Sequence, residues 1–503
     1  MHPRAHAASR PDHAAAIQAE TGETLTFAQL EAAANRGAHQ LRALGLGVGD
    51  AMAVWLPNSL AWFPLFWAAQ RSGVHFVPIA TALTAEEARY ILADSGAKLL
   101  VTNGEIAAAA GVTDVPRYTA GAGIDGVEDW FAAIAGHPDT PIADEACGAY
   151  MVYSSGTTGV PKGIRQPLLP GPVDQPNPMA MLLAARYGLG ADGVYLSPAP
   201  LYHTAPLAFS LAAQRLGATA VILKKFDPEA ALAAIARHRV TFTQMVPTMF
   251  HRLLRLPDDV RSAHDLSSLR GLVHAAAPCP IETKRAMIDW LGPIVSEYYA
   301  GSESNGSTSI TSEEWLTKPG SVGRASMSTI HICGEDGEEL SVGETGLVYF
   351  ESDSAFAYHN DPEKSAKARH SLHPSWSTLG DVGRVDADSY LFLTDRASFM
   401  IISGGVNIYP QEAENALVTH PKVADVAVIG VPHAEMGEEV KAVVELIDPA
   451  HAGEATAAEL VAWCRTKLSP VKCPRSVDFV EKLPRSDTGK LYKREIRARY
   501  WPS

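Results

Sequence analysis

The chain has 503 residues, 47% hydrophobic and 19% charged, a composition that excludes a mostly disordered polypeptide and leaves room for several cores. At roughly 150 residues per domain the length suggests about three folding units. Lys plus Arg number 42 against 56 Asp plus Glu, a formal charge of −14. That excess of acid argues against nonspecific nucleic-acid or anionic-membrane binding, and it leaves open a small anionic substrate held by a local basic patch.

In chain order, residues 23–103 alternate helical and strand patterns. Thr26 is placed to cap a helix running through Ala28, Leu30 and Ala34 toward Leu41. Residues 51–56 (AMAVWL) read as a buried strand closed by Pro57-Asn58, residues 60–72 as a helix, and 75–78 and 98–102 as strands. Strands alternating with helices predict a mostly parallel α/β sheet. The pattern repeats with strands at 193–197 and within 217–224, then a helix opened by an Asp227 cap and Pro228 at the first helical position. That helix runs to about His238, and further strands fall at 240–246 and 271–275. Residues 167–178 (PLLPGPVDQPNP) read as a mobile surface loop.

The texture changes after Arg396. A helix from Pro410 through Leu417, strands at 423–431 and 440–447, a helix at 455–468 and a strand at 476–480 form an α+β unit of about 100 residues, large enough for a separate domain. Five cysteines (Cys147, Cys279, Cys333, Cys464 and Cys473) are too few and too scattered for a disulfide framework or a metal site. A reduced, cytoplasmic setting is expected. The longest apolar run, 61–69, is broken by Pro64 and is far short of the ~18 residues a membrane span needs. The first residues lack an apolar signal-peptide core, so no export is expected.

The strongest local signal is residues 153–163, YSSGTTGVPKG. Glycines at 156, 159 and 163 let backbone approach an anion closely. Successive N–H groups there form a concavity for phosphate, hydroxyls of Ser154, Ser155, Thr157 and Thr158 add donors, and Lys162 adds charge. The spacing differs from the P-loop of nucleoside triphosphatases. Such a density of donors directly after the strand-like 149–153 points to phosphate binding over a polar surface turn.

This motif resembles the phosphate-loop signature of the adenylate-forming superfamily, which includes acyl-CoA synthetases, aryl-CoA ligases, peptide-synthetase adenylation domains and beetle luciferases. Further segments resemble the family in the same order: YYAGSE at 298–303, Gly380-Asp381 and Asp395-Arg396, SGGVNIY at 403–409 and PRSDTGK at 484–490. The likeness spans roughly residues 20–500. It implies a large N-terminal domain of helix-flanked sheets with a small β-barrel-like part (1–397). A small mobile α+β C-terminal domain (398–503) would follow, with a hinge near Ser398 and the active site between the two.

The resemblance also implies the chemistry. A carboxylate attacks the α-phosphate of ATP, giving acyl-AMP and pyrophosphate, and catalysis rests on positioning and on charge and N–H stabilisation. Ser154, Ser155, Gly156, Thr157, Thr158, Gly159 and Lys162 would hold the β- and γ-phosphates. Ser302 stands where the family places Thr against the α-phosphate, and Glu303 would hold Mg²⁺, a hard cation that wants carboxylate oxygen. Asp381 and Arg396 would take the ribose. Ala276, Ala277 and Pro278 would wall the adenine, with Tyr298, Tyr299 and Ala300 nearby. Lys490, a flexible ammonium on a loop tip, would reach between carboxylate and α-phosphate. His203 would guard the mouth of an acyl pocket lined by Tyr202, Met245, Val246, Met249, Gly301 and Gly306, an apolar set suited to an apolar acyl or aryl tail.

By the same resemblance the C-terminal domain then turns, withdraws Lys490 and presents Ser403, Gly404 and Gly405 to the pantetheine of CoA. The expected reaction is acyl-CoA synthesis from a small carboxylic acid, ATP and CoA. The alternatives are a stand-alone adenylating enzyme that passes the acyl group to an amine or a carrier protein, and a catalytically silent nucleotide-binding regulator. Monomer and homodimer both stay open, and the carboxylic acid itself is not readable. Two positions depart from the family: Ala397-Ser398-Phe399 replaces a charged hinge, and Glu297 replaces a common glutamine.

Overall fold

The computed structural model describes residues 2–106, 111–154, 161–326, 328–352, 356–485 and 491–501. The chain divides into two compact units, Met1–His274 with Phe356–Ser365, and Ala275–Ala355 with Ala366–Ser503.

In the first unit, parallel strands run in the spatial order Gly271–His274, Phe242–Met245, Val194–Ser197, Thr219–Ile222 and Ala14–Gln18, with Thr24–Thr26 antiparallel at the edge. A second sheet is ordered Arg117–Thr119, Ala97–Thr102, Ala51–Trp55, His75–Pro78, Ala149–Ser154 and Lys162–Arg165; its last pair alone is antiparallel. The predicted strands thus fall where expected. Parallel strands covered on both faces are continuous apolar runs, and Ala51–Trp55 is buried at every position.

The helix Phe27–Ala43 begins at Thr26, whose hydroxyl accepts from Gln29 N–H while the Gln29 side chain accepts from Thr26 N–H. This reciprocal cap ends the preceding strand and starts the helix in one residue. All ten residues of Trp62–Arg71 are buried, as a helix apolar all round must be. Around it Phe63, Trp67, Phe76 and Trp130 form the largest core. Several helices were not anticipated, among them Ala85–Ser95, Pro178–Tyr187, Thr204–Leu216 and Ile281–Leu291. Residues 167–177 carry no helix or strand, with Leu169 58% exposed but Val173 buried.

In the second unit, Val295–Ala300, Ser307–Ile310 and Arg324–Ala325 pair antiparallel in sequence order. The barrel-like part takes the form of a five-stranded antiparallel sheet: Thr329–Cys333, Gly346–Glu351, Asp381–Val385 and Leu391–Arg396, with Trp376–Ser377 on the second strand. Beyond it lies the α+β segment. Its sheet places Gly437–Leu446 between Val423–His433 and the parallel strand Ser476–Val480, with the hairpin Ile401–Ser403/Val406–Ile408 attached. Helices Pro410–Leu417 and Glu454–Arg465 pack there over Val426, Val428, Val444 and Leu460. All five cysteines are free thiols. No helix of the described residues is long and apolar enough to cross a membrane.

Candidate active site

The first unit carries the phosphate-loop motif as a hairpin. Ser154 closes one strand, Lys162 opens the next, and the two are cross-strand partners. Residues 155–160, with the expected Ser155, Gly156, Thr157, Thr158 and Gly159, lie outside the described residues, as does the side chain of Ser154. Lys162 sits with its ammonium 4.9 Å from the centroid of the Tyr358 ring, a cation–π contact that holds the charge without neutralising it. Gly163 follows because a Cβ there would meet the Tyr153 ring at 3.1 Å and His359 at 3.2 Å. The Tyr153 hydroxyl donates to Asp94 at 2.7 Å, and burial with this carboxylate pushes the phenol above its ordinary range.

The proposed acyl-pocket residues of this unit gather at strand ends. Met245 ends a parallel strand, Val246 is the N-cap of the helix Pro247–Leu254, and Met249 lies in its first turn; all three are buried. The carboxyl ends of parallel strands are where α/β sheets bind ligands. His203 is the N-cap residue of Thr204–Leu216, its ring 4.7 Å from that of Tyr202, and the Tyr202 hydroxyl accepts from Thr81 at 3.4 Å.

The second unit assembles the expected nucleotide residues. Asp381 and Arg396 are cross-strand partners in one antiparallel pair, which explains their fifteen-residue separation. Arg396 Nε lies 3.0 Å from Asp381 Oδ1, and the Tyr299 hydroxyl donates to Asp381 Oδ2 at 2.6 Å. Asp381 is 7% exposed. Burial first, then Asp381, drives the Tyr299 phenol well above its ordinary range, so it remains a donor at every working pH. Burial works against the Arg396 charge, but Asp381, Tyr299 and Glu303 outweigh it and raise its pKa. Tyr299 itself lies on the strand Val295–Ala300, together with Tyr298 and Ala300. The sequence marked Tyr299 as a nucleotide-binding and pocket-lining candidate, without this hydrogen bond. Its hydroxyl partner is 82 residues away, and no local signal reveals it.

Gly301, Ser302 and Glu303 form a turn closed by Ser304 N–H to Gly301 O at 3.1 Å. A Cβ on Gly301 would meet Glu303 Oε2 at 2.7 Å and Leu379 at 2.5 Å, and one on Gly306 would strike the Phe350 ring at 2.3 Å. Both glycines are therefore packing requirements. In the segment expected to wall the adenine, Ala276, next to Ala277 and Pro278, has φ +75°; Ser304, which closes the turn after Gly301, has φ +57°. Non-glycine residues in the left-handed region cost on the order of 1–3 kcal/mol and cluster at functional sites. Among the described residues no group of three or more His, Cys, Asp or Glu side chains could hold a metal.

The charge at Glu297 is compensated where it stands. Lys284 Nζ lies 2.6 Å from Glu297 Oε2 and both side chains are buried. Burial raises the Glu297 pKa and Lys284 opposes that shift.

The expected CoA loop is a two-residue hairpin turn. Ser403 pairs with Val406, and Gly404 and Gly405 both have positive φ (+56° and +79°), as a type I′ turn demands. Ser398 lies in a single 3₁₀ turn, Ala397–Phe399. Lys490 lies outside the described residues. The chain on either side of it is joined by a bridge between Arg485 and Leu491 and by Tyr492 N–H to Pro484 O at 3.0 Å.

Comparison with known proteins bears on this arrangement. Residues 3–357 match the family model of the AMP-binding enzymes, and residues 412–490 match the model of the AMP-binding enzyme C-terminal domain. A feruloyl-CoA synthase of Amycolatopsis sp. is 36% identical over 97% of this chain and 96% of its own length. A long-chain-fatty-acid–CoA ligase of Mycobacterium tuberculosis is 33% identical over 99% of this chain and 97% of its own. Among solved structures, ATP-bound MatB from Rhodopseudomonas palustris superimposes with a TM-score of 0.81 at 29% identity, covering 99% of each chain. The chain is a member of the AMP-binding enzyme family, within the adenylate-forming superfamily.

Proposed function

We propose that the chain is an AMP-forming acid–thiol ligase that converts an apolar carboxylic acid, ATP and CoA into acyl-CoA, AMP and pyrophosphate. The observation that carries this reading is the buried Asp381 carboxylate, held by Tyr299 at 2.6 Å and Arg396 at 3.0 Å. A buried carboxylate with oriented donors is a rigid acceptor for paired hydroxyls, which is what a ribose offers. The full-length likeness to enzymes named as CoA ligases supports the thiol as acceptor.

In this reading Lys162 and the loop before it bind the β- and γ-phosphates, Ser302 donates to the α-phosphate, and Ala276, Ala277 and Pro278 flank the base beside Tyr298, Tyr299 and Ala300. Glu303 holds Mg²⁺, which when bound offsets phosphate charge. Lys490 neutralises charge developing between carboxylate and α-phosphate, the electrostatic part of the catalysis. Tyr202, Met245, Val246, Met249, Gly301 and Gly306 take the acyl tail, and His203 orients the carboxylate. Ser403, Gly404 and Gly405 let pantetheine pass close to the backbone. The domain boundary is placed at 397/398 with Ser398 as hinge; the two family models, ending at 357 and beginning at 412, bracket it. A cytoplasmic setting goes with five free thiols.

The acceptor is tested by supplying CoA, amines and a holo-carrier protein in turn, at matched AMP release. Thioester formation with CoA at the highest rate is the expected result. A faster amide or carrier product overturns the thiol assignment while leaving adenylation intact.

A further inference from the structure

The hinge departs from its family where charge is expected, and the structure shows what stands there instead. Phe399 is the last residue of the 3₁₀ turn Ala397–Phe399 and is half-buried. The ammonium of Lys493 lies 5.1 Å from the centroid of its ring. Lys493 is in turn paired with Glu414 at 2.8 Å, and the two side chains are 7% and 9% exposed. Glu414 also accepts from Val428 N–H at 2.7 Å, so the pair is fixed to the central sheet of the α+β segment.

The three contacts belong to one circuit. Glu414 lies on the helix Pro410–Leu417. The start of that helix is held by Asp395, whose Oδ2 accepts from Gln411 N–H at 2.9 Å while its Oδ1 accepts from Arg396 N–H at 2.7 Å. Asp395 and Arg396 end the strand that leads into the hinge. Lys493 opens the helix Lys493–Ala498, three residues after Lys490. The path runs from the ribose-side Arg396 through Asp395 to one helix, from that helix through Glu414 to Lys493, and from Lys493 back to Phe399 at the hinge. A buried ion pair is weak evidence for net stability, but removing one partner leaves an uncompensated buried charge, so the two groups stay together. A ring face can hold an ammonium with no charge of its own, at an interaction that grows with desolvation.

We propose that Phe399 is a positioning residue: through Lys493 it sets the placement of the helix Lys493–Ala498 relative to the turn Ala397–Phe399, in place of the charged hinge residues that this chain lacks. Lys493 and Glu414 are its supports. This rests on the acid–thiol ligase reading above. The role predicts a specific kinetic signature. Misplacing a group needed only in the transition state lowers kcat and leaves ground-state binding alone.

The test is Phe399→Leu, which keeps apolar bulk and removes the ring face, beside Phe399→Trp, which restores it. In pyrophosphate exchange Phe399→Leu is expected to lose about three- to tenfold in kcat, with KM for ATP and acid within about twofold. Phe399→Trp is expected within about twofold of the parent. Thermal melting of both variants reports folding, and Phe399→Met replaces Phe399→Leu should the latter not fold. Unchanged exchange in Phe399→Leu overturns the proposal, as does an equal loss in Phe399→Trp or a rise in KM that accounts for the loss. Absence of exchange in the parent enzyme with every acid tried overturns the ligase reading instead, so the two failures are distinct.

Discussion

At the residue scale, the account turns on one carboxylate with two oriented partners. Removing the Tyr299 hydroxyl leaves Asp381 buried with a vacated acceptor site. Hydrogen bonds to charged groups contribute about 1.5–3 kcal/mol. Tyr299→Phe is therefore expected to lower unfolding free energy by about that amount, and to raise KM for ATP about tenfold if the reorganised carboxylate no longer meets the ribose squarely. Denaturant unfolding and an ATP titration read the two effects separately. An unchanged KM would remove Asp381 from the nucleotide. Much at this scale was legible in advance. Asp381, Arg396, Glu303 and Lys162 were named from short motifs, and the structure brings Asp381 and Arg396 side by side as cross-strand partners. The Tyr299–Asp381 hydrogen bond and the Lys284–Glu297 pair were not, since each depends on where a sheet brings distant side chains. Glu297 read only as a departure from a common glutamine, because its counter-ion Lys284 lies on the helix Ile281–Leu291, which was not anticipated.

At the element scale, capping chemistry decided which helices could be read. Thr26 and Asp227 were recognised as starts, and the structure places helices after both. The helix Ala85–Ser95 was missed although Thr84 and Glu87 form the same reciprocal cap and Gly96 ends it with φ +63°. That signal was present and unread. The glycine hairpin at Ser403–Val406 is the opposite case, in which the proposed CoA contact rests on backbone conformation. Gly405 has φ +79° and no atom within 4 Å of a built Cβ, so a side chain there meets a conformational cost and no clash. Gly405→Val is expected to cost about 1–3 kcal/mol locally and to slow thiolysis of supplied acyl-AMP by about tenfold or more, while pyrophosphate exchange stays near the parent rate. Equal loss in both half-reactions would sever the hairpin from CoA.

At the scale of the whole molecule, several histidines act together against acid. His2, His75, His238 and His420 are each held below the ordinary histidine range, by burial above all. Arg71, Arg4 and Arg215 add to the effect at His2, and Arg165 at His75. A depressed folded pKa means that, as pH falls below about 6.5, the unfolded chain takes up protons that the folded chain refuses. Each such histidine removes up to about 1.4 kcal/mol of stability per pH unit in that window. The melting temperature is therefore expected to fall from pH 7 to pH 5, and His75→Gln to flatten that fall. A melting temperature constant across the window would contradict the assignment.

The overall charge of −14 now has a more specific meaning. It is a net figure that leaves room for local cations, Lys162 over its tyrosine in one unit and Arg396 on its carboxylate in the other, and it never argued against ATP. The central claim is adenylation of a carboxylic acid, and pyrophosphate exchange into ATP across a panel of fatty, steroid side-chain and aryl acids tests it most directly. The account predicts exchange that depends strictly on one class of acid and is abolished in Lys490→Ala, while that variant still converts supplied acyl-AMP and CoA to thioester. Exchange without added acid, exchange that survives Lys490→Ala, or release of ADP in place of AMP would contradict it.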